Sequence, residues 1–206
     1  MKQEKIITLV GNPNVGKSTV FNALTGMNQH TGNWAGKTVT NAKGHFKYND
    51  ENYTIIDIPG TYSLISQSKD EEVARDFICF QDTYKIIIVC DATALERNLP
   101  LVLQVIEARK NIILCINLLD EAKKKGISVN IEKLSEILGI QVVGISARKK
   151  QNINGLLEKL EKSNNNPYII NYNEHIEKSI NILQQALKEI DTKNLDKKFI
   201  CLKLLE

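Results

Sequence analysis

Residues 11–19 read Gly-Asn-Pro-Asn-Val-Gly-Lys-Ser-Thr and directly follow the apolar run Ile6–Val10. The spacing Gly-x-x-x-x-Gly-Lys-Ser is that of a phosphate cradle, provided a strand precedes it and a helix follows. Each part has a physical task. Gly11 and Gly16 permit the tight backbone dihedrals of the turn. The backbone N–H groups of the loop, across Asn12, Asn14, Val15 and Thr19, can then converge into an anion nest. A helix starting at Lys17 turns its positive end toward the phosphates. Lys17 is placed to bridge β- and γ-phosphates, and the Ser18 hydroxyl to ligate Mg²⁺.

Three further stretches fit the same chemistry. Asp57-Ile58-Pro59-Gly60 closes an apolar run, so Asp57 can hold magnesium through water and Gly60 can offer its N–H to a γ-phosphate. Taken alone, that tetrapeptide is an ordinary turn. Asn117-Leu118-Leu119-Asp120 ends another apolar run. A carboxylate at Asp120 can accept two hydrogen bonds from guanine N1–H and N2–H₂, a donor pair that adenine lacks, which argues for GTP over ATP. The same residues would also fit a helix start capped by Asp120. GTPases mostly carry lysine where this chain has Leu118, so looser nucleotide binding is expected. Ser146-Ala147-Arg148 follows the last apolar run and is similar to the loop that touches the guanine carbonyl.

Between the first helix and the next strand lies Gln29–Val39, holding Gly32, Trp34, Gly36 and Thr38. Its glycines predict a mobile loop. Thr38 is the candidate to close on magnesium and the γ-phosphate. Trp34 is either a core residue or a reporter within that loop.

These residues need a scaffold that brings them together. The runs Ile6–Val10, Tyr53–Ile58, Ile86–Cys90, Ile112–Ile116 and Val142–Ile145 are largely continuous, as in strands buried on both faces of a parallel sheet. Val39–Tyr48 alternates loosely and suits an edge strand, the one antiparallel member. Amphipathic patterns at Lys17–Thr25, Glu71–Phe80, Leu99–Arg109, Ile131–Leu138 and Ile153–Leu160 supply helices between them. Gly139 suits a C-terminal cap. Strand–helix alternation predicts a doubly wound α/β fold with a mainly parallel sheet.

The pattern changes at Ser163–Pro167, a linker or sharp turn. Beyond it, Ile176, Ile180, Leu183, Leu187 and Ile190 mark one apolar helical face, and a second helix starts near Leu195. The chain stops at Glu206 within that pattern, which predicts a fragment of a longer protein.

Composition sets limits. The 206 residues carry a net charge of +3, too small to argue for nucleic acid as a partner. His30, His45 and His175 have no metal-ligand spacing. The four cysteines form no C-x-x-C pair and fit a reduced, cytosolic setting. No N-terminal signal pattern is present, and no apolar run approaches the roughly 18 residues of a membrane span.

Taken together, the chain resembles the N-terminal cytosolic G domain of the ferrous iron transport protein B family. The matching stretches are GNPNVGKSTVFNALTG, GNWAGKTV, DIPGTYSL, DATALERNL, NLLDEA and SARKKQNI. The resemblance implies a P-loop GTPase domain over residues 1–165. It implies that 168–206 begins a small helical domain similar to a guanine-nucleotide dissociation inhibitor. The expected ligands are GTP and GDP with Mg²⁺, bound by the residues named above. The expected partner is the transmembrane domain of the same full-length transporter at the cytoplasmic face of the membrane, with room for an oligomer. The family is associated with K⁺-stimulated hydrolysis. The matching asparagine here is Asn14, with backbone carbonyls near Asn33–Gly36 caging the ion, although a loop asparagine can equally be a turn residue. Thr61 stands where many GTPases carry a water-orienting glutamine, and it is too short for that task. Two other readings are a soluble GTPase acting on RNA and a nucleotide-sensing module with negligible turnover.

Overall fold

The computed structural model describes residues 4–26, 29–33, 40–65, 68–163, 166–192 and 195–206. Its frame is a 7-stranded sheet in the order β2-β3-β4-β1-β5-β6-β7. The strands are β1 (Lys5–Gly11), β2 (Gln29–Asn33), β3 (Thr40–Tyr48), β4 (Glu51–Asp57), β5 (Lys85–Asp91), β6 (Ile112–Asn117) and β7 (Gln141–Gly144). β4, β1, β5, β6 and β7 run parallel. β3 is antiparallel to both of its neighbours.

The central strands are almost unbroken runs of β-branched residues because both of their faces are covered. Successive side chains of β5 alternate between two cores. Ile86, Ile88 and Cys90 join one, with Ala74, Phe77 and Ile78 of α2 (Lys69–Phe80) and Leu101, Val102 and Val105 of α3 (Leu95–Ala108). Ile87 and Val89 join the other, with Val20, Phe21 and Leu24 of α1 (Lys17–Thr25) and Leu156 of α6 (Ile153–Lys159). This is the doubly wound α/β architecture that the sequence predicts.

Four details correct the sequence reading. Gln29–Asn33, expected as a loop, pairs with β3 from Gln29↔Gly44 to Asn33↔Thr40. β3 is therefore antiparallel as expected but is not the edge. Helix α3 begins at Leu95, not Leu99, and carries Pro100 inside it. Pro100 removes a hydrogen bond to the carbonyl of Glu96, but both residues face solvent, where water can replace it. A short helix, α4 (Leu119–Lys124), precedes α5 (Ile131–Leu138). Gly139 closes α5 in the left-handed conformation, donating to Ser135 O.

After the 163–167 stretch, Tyr168 N donates to Leu138 O at 2.8 Å. The two helices that follow are α7 (Glu174–Ala186) and α8 (Lys197–Leu205). Ile190, expected on the α7 face, lies beyond its end and is exposed. α8 turns Phe199 into the core formed by α2 and α3. No helix among the described residues is long and apolar enough to cross a membrane.

Candidate functional site

Gly11, Asp57 and Asn117 end β1, β4 and β6, and Ser146 follows β7. Parallel pairing sets these ends side by side, at the carboxyl edge where open α/β sheets bind ligands. The turn from β1 into α1 requires left-handed backbone at Asn14 (φ 67°) and Gly16 (φ 80°). At Gly16 a side chain is also excluded by space, because a Cβ would sit 2.5 Å from Asn117 Nδ2.

Asn117 joins two loops. It is 1% exposed; its Nδ2 donates to Val15 O at 3.1 Å, and its Oδ1 accepts from Ala147 N at 3.0 Å. The first turn of α4 is tied to the same loop, with Asp120 N donating to Ser146 Oγ at 3.1 Å and Leu119 N to Ile145 O at 3.3 Å. The sequence left Asp120 open between a base contact and a helix cap. The structure puts Asp120 inside α4, while Leu118 occupies the N-cap in the left-handed region at φ 62°. Asp120 thus presents its carboxylate beside Ser146. Burial works against its charged form. Hydrogen bonds from Lys149 and Ser146, with the Lys149 charge, outweigh that and hold the carboxyl below its ordinary value.

At the other end of the site, the Lys17 ammonium bonds Asp57 Oδ1 and donates to Ile58 O at 2.6 Å. Ser18 Oγ donates to Asp57 Oδ2 at 3.2 Å. The side chains of Lys17 and Asp57 are only 12% and 10% exposed. The turn after Asp57 packs against the glycine loop. Thr61 N donates to Gly11 O at 3.2 Å, and a Cβ on Gly60 would meet Pro13 N at 3.0 Å. Thr61 is fully buried, and its hydroxyl donates to Ser63 O at 2.6 Å.

Asn12 is 3% exposed, and its Nδ2 donates to Arg97 O at 3.4 Å. Its Oδ1 has no hydrogen-bond partner among the described residues. Asn14 and Thr19 are exposed on the loop and the first turn of α1, and Val15 is buried beneath them. Trp34, Gly36 and Thr38 lie outside the described residues.

Two residues at this edge carried no signal in the sequence. Lys149 Nζ lies 3.2 Å from Asp120 Oδ2. Arg97 lies over the Tyr62 ring and donates to its hydroxyl at 2.9 Å, which ties the segment after Gly60 to α3. In the sequence both occur only in stretches quoted for the family resemblance, Lys149 in SARKKQNI and Arg97 in DATALERNL.

Comparison with known proteins gives the family and the fold. The family model described as "Ferrous iron transport protein B" matches residues 5–160. The Fe(2+) transporter FeoB of Helicobacter pylori is 45% identical over 149 residues, 72% of this chain and 23% of that protein. The Fe(2+) transporter FeoB of Salmonella typhimurium is 38% identical over 189 residues, 89% of this chain and 24% of that protein. The chain thus spans about a quarter of the length of the curated relatives it matches. Among solved structures, the cytosolic domain of T. maritima FeoB in its GDP form II superposes with a TM-score of 0.91 at 35% identity, covering 98% of this chain and 82% of that one. The GMPPNP form of the same domain gives 0.90 at 36% identity, covering 98% and 81%. This chain belongs to the ferrous iron transport protein B family.

Proposed function

We propose that this chain is the guanine-nucleotide switch of a ferrous iron transporter, binding GTP and GDP and hydrolysing GTP. The observation that carries the reading is the convergence on one sheet edge of Lys17, Asp57, Asn117 and Asp120, from separate parts of the chain. The GDP and GMPPNP forms of the T. maritima relative support it. In this reading the loop 11–19 holds the phosphates, Asp120 with Ser146 and Ala147 holds guanine, and Thr38 with Gly60 closes on the γ-phosphate. Residues 1–165 are the G domain and 168–206 begin a helical domain. The fragment lies at the cytoplasmic face of the membrane, joined to the transmembrane part of its own chain.

The chemistry begins with an exchange of partners at Lys17. Its ammonium neutralises Asp57 in this structure. When a triphosphate enters, Lys17 turns to the β- and γ-oxygens, and the carboxylate is released together with the Ser18 hydroxyl. Those hard oxygens suit Mg²⁺. Magnesium, when bound, supplies charge neutralisation on the phosphates. Thr61 is turned inward onto Ser63 O and takes no part in orienting water. Asn14 is exposed on the loop, so its side-chain oxygen is available to a monovalent cation at the phosphates. A potassium ion held by Asn14 would offset charge growing on the β–γ bridge.

A competition titration of GTP, GDP and ATP tests the nucleotide assignment, and ATP binding as tight as GTP overturns it. Single-turnover GTP hydrolysis in K⁺ against Na⁺ buffer tests the chemistry. A rate about tenfold faster in K⁺, or about 1.4 kcal/mol of barrier, is expected. Asn14→Ala should abolish that difference while keeping GDP affinity. The inward Thr61 also favours a second reading, a nucleotide sensor with negligible turnover. Absence of hydrolysis in both salts, with GTP bound, selects it.

A further inference from the structure

Lys149 is not among the residues that the nucleotide reading uses, yet among the described residues it is the cation paired with the residue that reads the base. It ends a single 3-10 turn, Ala147–Lys149, within a loop closed on itself. Ser146 N donates to Gln151 O at 3.3 Å, and Gln151 N donates back to Ser146 O at 3.1 Å. Lys149 N donates to Ser146 O at 3.0 Å, and Lys150 takes the left-handed conformation at φ 54°. The loop is anchored beside α4 through Ser146 Oγ and Asp120 N. The lysine backbone is thus held over Asp120, and Nζ lies 3.2 Å from Asp120 Oδ2.

The two side chains differ in freedom. Asp120 is 10% exposed, whereas Lys149 is 49% exposed. Among the described residues, Lys149 is the only cation that forms an ion pair with Asp120. Lys124 lines the same cleft but is engaged with Glu121 at 2.8 Å. A carboxylate has a limited set of acceptor positions. An ammonium on Oδ2 takes one of those that guanine N1–H and N2–H₂ would require.

We propose that Lys149 is a gate on the guanine pocket: it covers Asp120 when no base is bound and must swing aside for guanine to enter. This rests on the reading of Asp120 as the guanine acceptor. The anchored loop sets the position of the gate, and the half-exposed side chain lets it move. A half-exposed ion pair is weak and screened by salt, so the gate changes affinity by a few-fold and does not block the site.

The test is a GDP titration of the whole chain, followed by fluorescence of a labelled GDP. Lys149→Gln leaves a polar side chain only one atom shorter and removes its charge. It should tighten GDP binding about threefold or more at low salt, and the advantage over wild type should shrink as KCl rises. Lys149→Arg should behave as wild type. Lys124→Gln, which removes the same charge from the same cleft, should not tighten binding. Equal or weaker GDP affinity in Lys149→Gln overturns the gate, as does an advantage that ignores salt or is shared by Lys124→Gln. Asp120→Asn separates this from the underlying reading. If Asp120→Asn keeps full GDP affinity, the guanine pocket is misplaced and the gate falls with it. If Asp120→Asn loses affinity while Lys149→Gln gains none, only the gate is overturned.

Discussion

One amide, that of Asn117, holds together loops at Val15 and Ala147, 132 positions apart in the chain. Its donor and acceptor both serve buried backbone groups, Val15 O and Ala147 N. Asn117→Ala strands both groups, and each unsatisfied buried partner costs about 1–3 kcal/mol. Urea unfolding should therefore show a loss of about 2–4 kcal/mol, accompanied by weaker GDP binding because both loops lose their brace. A loss below about 1 kcal/mol would mean that the brace is not made in solution. Lys17→Ala acts differently. It removes the ammonium from Asp57 and from the phosphates, so hydrolysis should vanish and GTP affinity should fall by orders of magnitude. Unchanged turnover in that variant would place the phosphates elsewhere. The residues of the candidate site were legible because the phosphate motif is contiguous and each of the others is a short local string at a strand end. Their pairings were not. Lys17 with Asp57 and Lys149 with Asp120 are set by which strands are neighbours, and no local pattern encodes that. The left-handed Leu118 was illegible for a related reason, since leucine carries no turn signature.

At the scale of elements, burial decided what could be read. β5 and β6 announce themselves because the sheet covers both of their faces and selects continuous apolar runs, rich in isoleucine, through their centres. β2 does not, because Gln-His-Thr-Gly-Asn has no apolar period to announce the pairing it makes with β3. α3 was half legible; its apolar stripe was plain, but the expected start at Leu99 lies a turn too late. This helix also links two regions that the sequence treats separately. Gln104 accepts from Leu64 N at 2.7 Å on one side. On the other, Glu107 accepts from Tyr172 Oη at 2.9 and 3.1 Å. Burial raises the Glu107 carboxyl above its ordinary value, partly offset by the Tyr172 hydroxyl and the Lys198 charge. Tyr172→Phe removes a donor to that carboxylate, at a cost of about 1–2 kcal/mol. A raised carboxyl pKa means that the folded state binds its proton more tightly, so stability falls as pH rises through the folded value. The variant should push that value further up. Its deficit should be full at pH 7.5 and smaller near the ordinary glutamate pKa. Urea midpoints at the two pH values check this, and a deficit independent of pH would assign the loss to packing alone.

At the scale of the molecule, the question is whether residues 168–206 support the fold or respond to the nucleotide. The contacts point to support. Phe199 is 6% exposed within the core formed by α2 and α3, and Leu195 packs against the same core. Asp196 N donates to Ala108 O at 3.0 Å, closing the appendage onto the end of α3. Lys198 then binds Ile170 O at 2.7 Å and Glu177 at 2.8 Å, which fastens α8 both to the segment before α7 and to α7 itself. Apart from Leu195 and Phe199, both hydrophobic clusters among the described residues are built from positions before Ser163. A chain cut after Ser163 should therefore fold. It should be less stable by about 3 kcal/mol, chiefly from re-exposing the site of Phe199, since burying one such side chain contributes about 1.5–3 kcal/mol. For a domain of this size that corresponds to a fall in Tm of roughly 6–12 °C. GDP affinity should stay within about threefold of the full chain, because none of the hydrogen bonds that build the loops at Lys17, Asp57, Asn117 and Asp120 reaches past Ser163 among the described residues. Calorimetry and a GDP titration on the two chains separate the alternatives. A stability loss with unchanged affinity assigns the appendage to support. A tenfold loss of affinity would show instead that the helices act on the nucleotide through α3 and the segment that Gln104 and Arg97 hold.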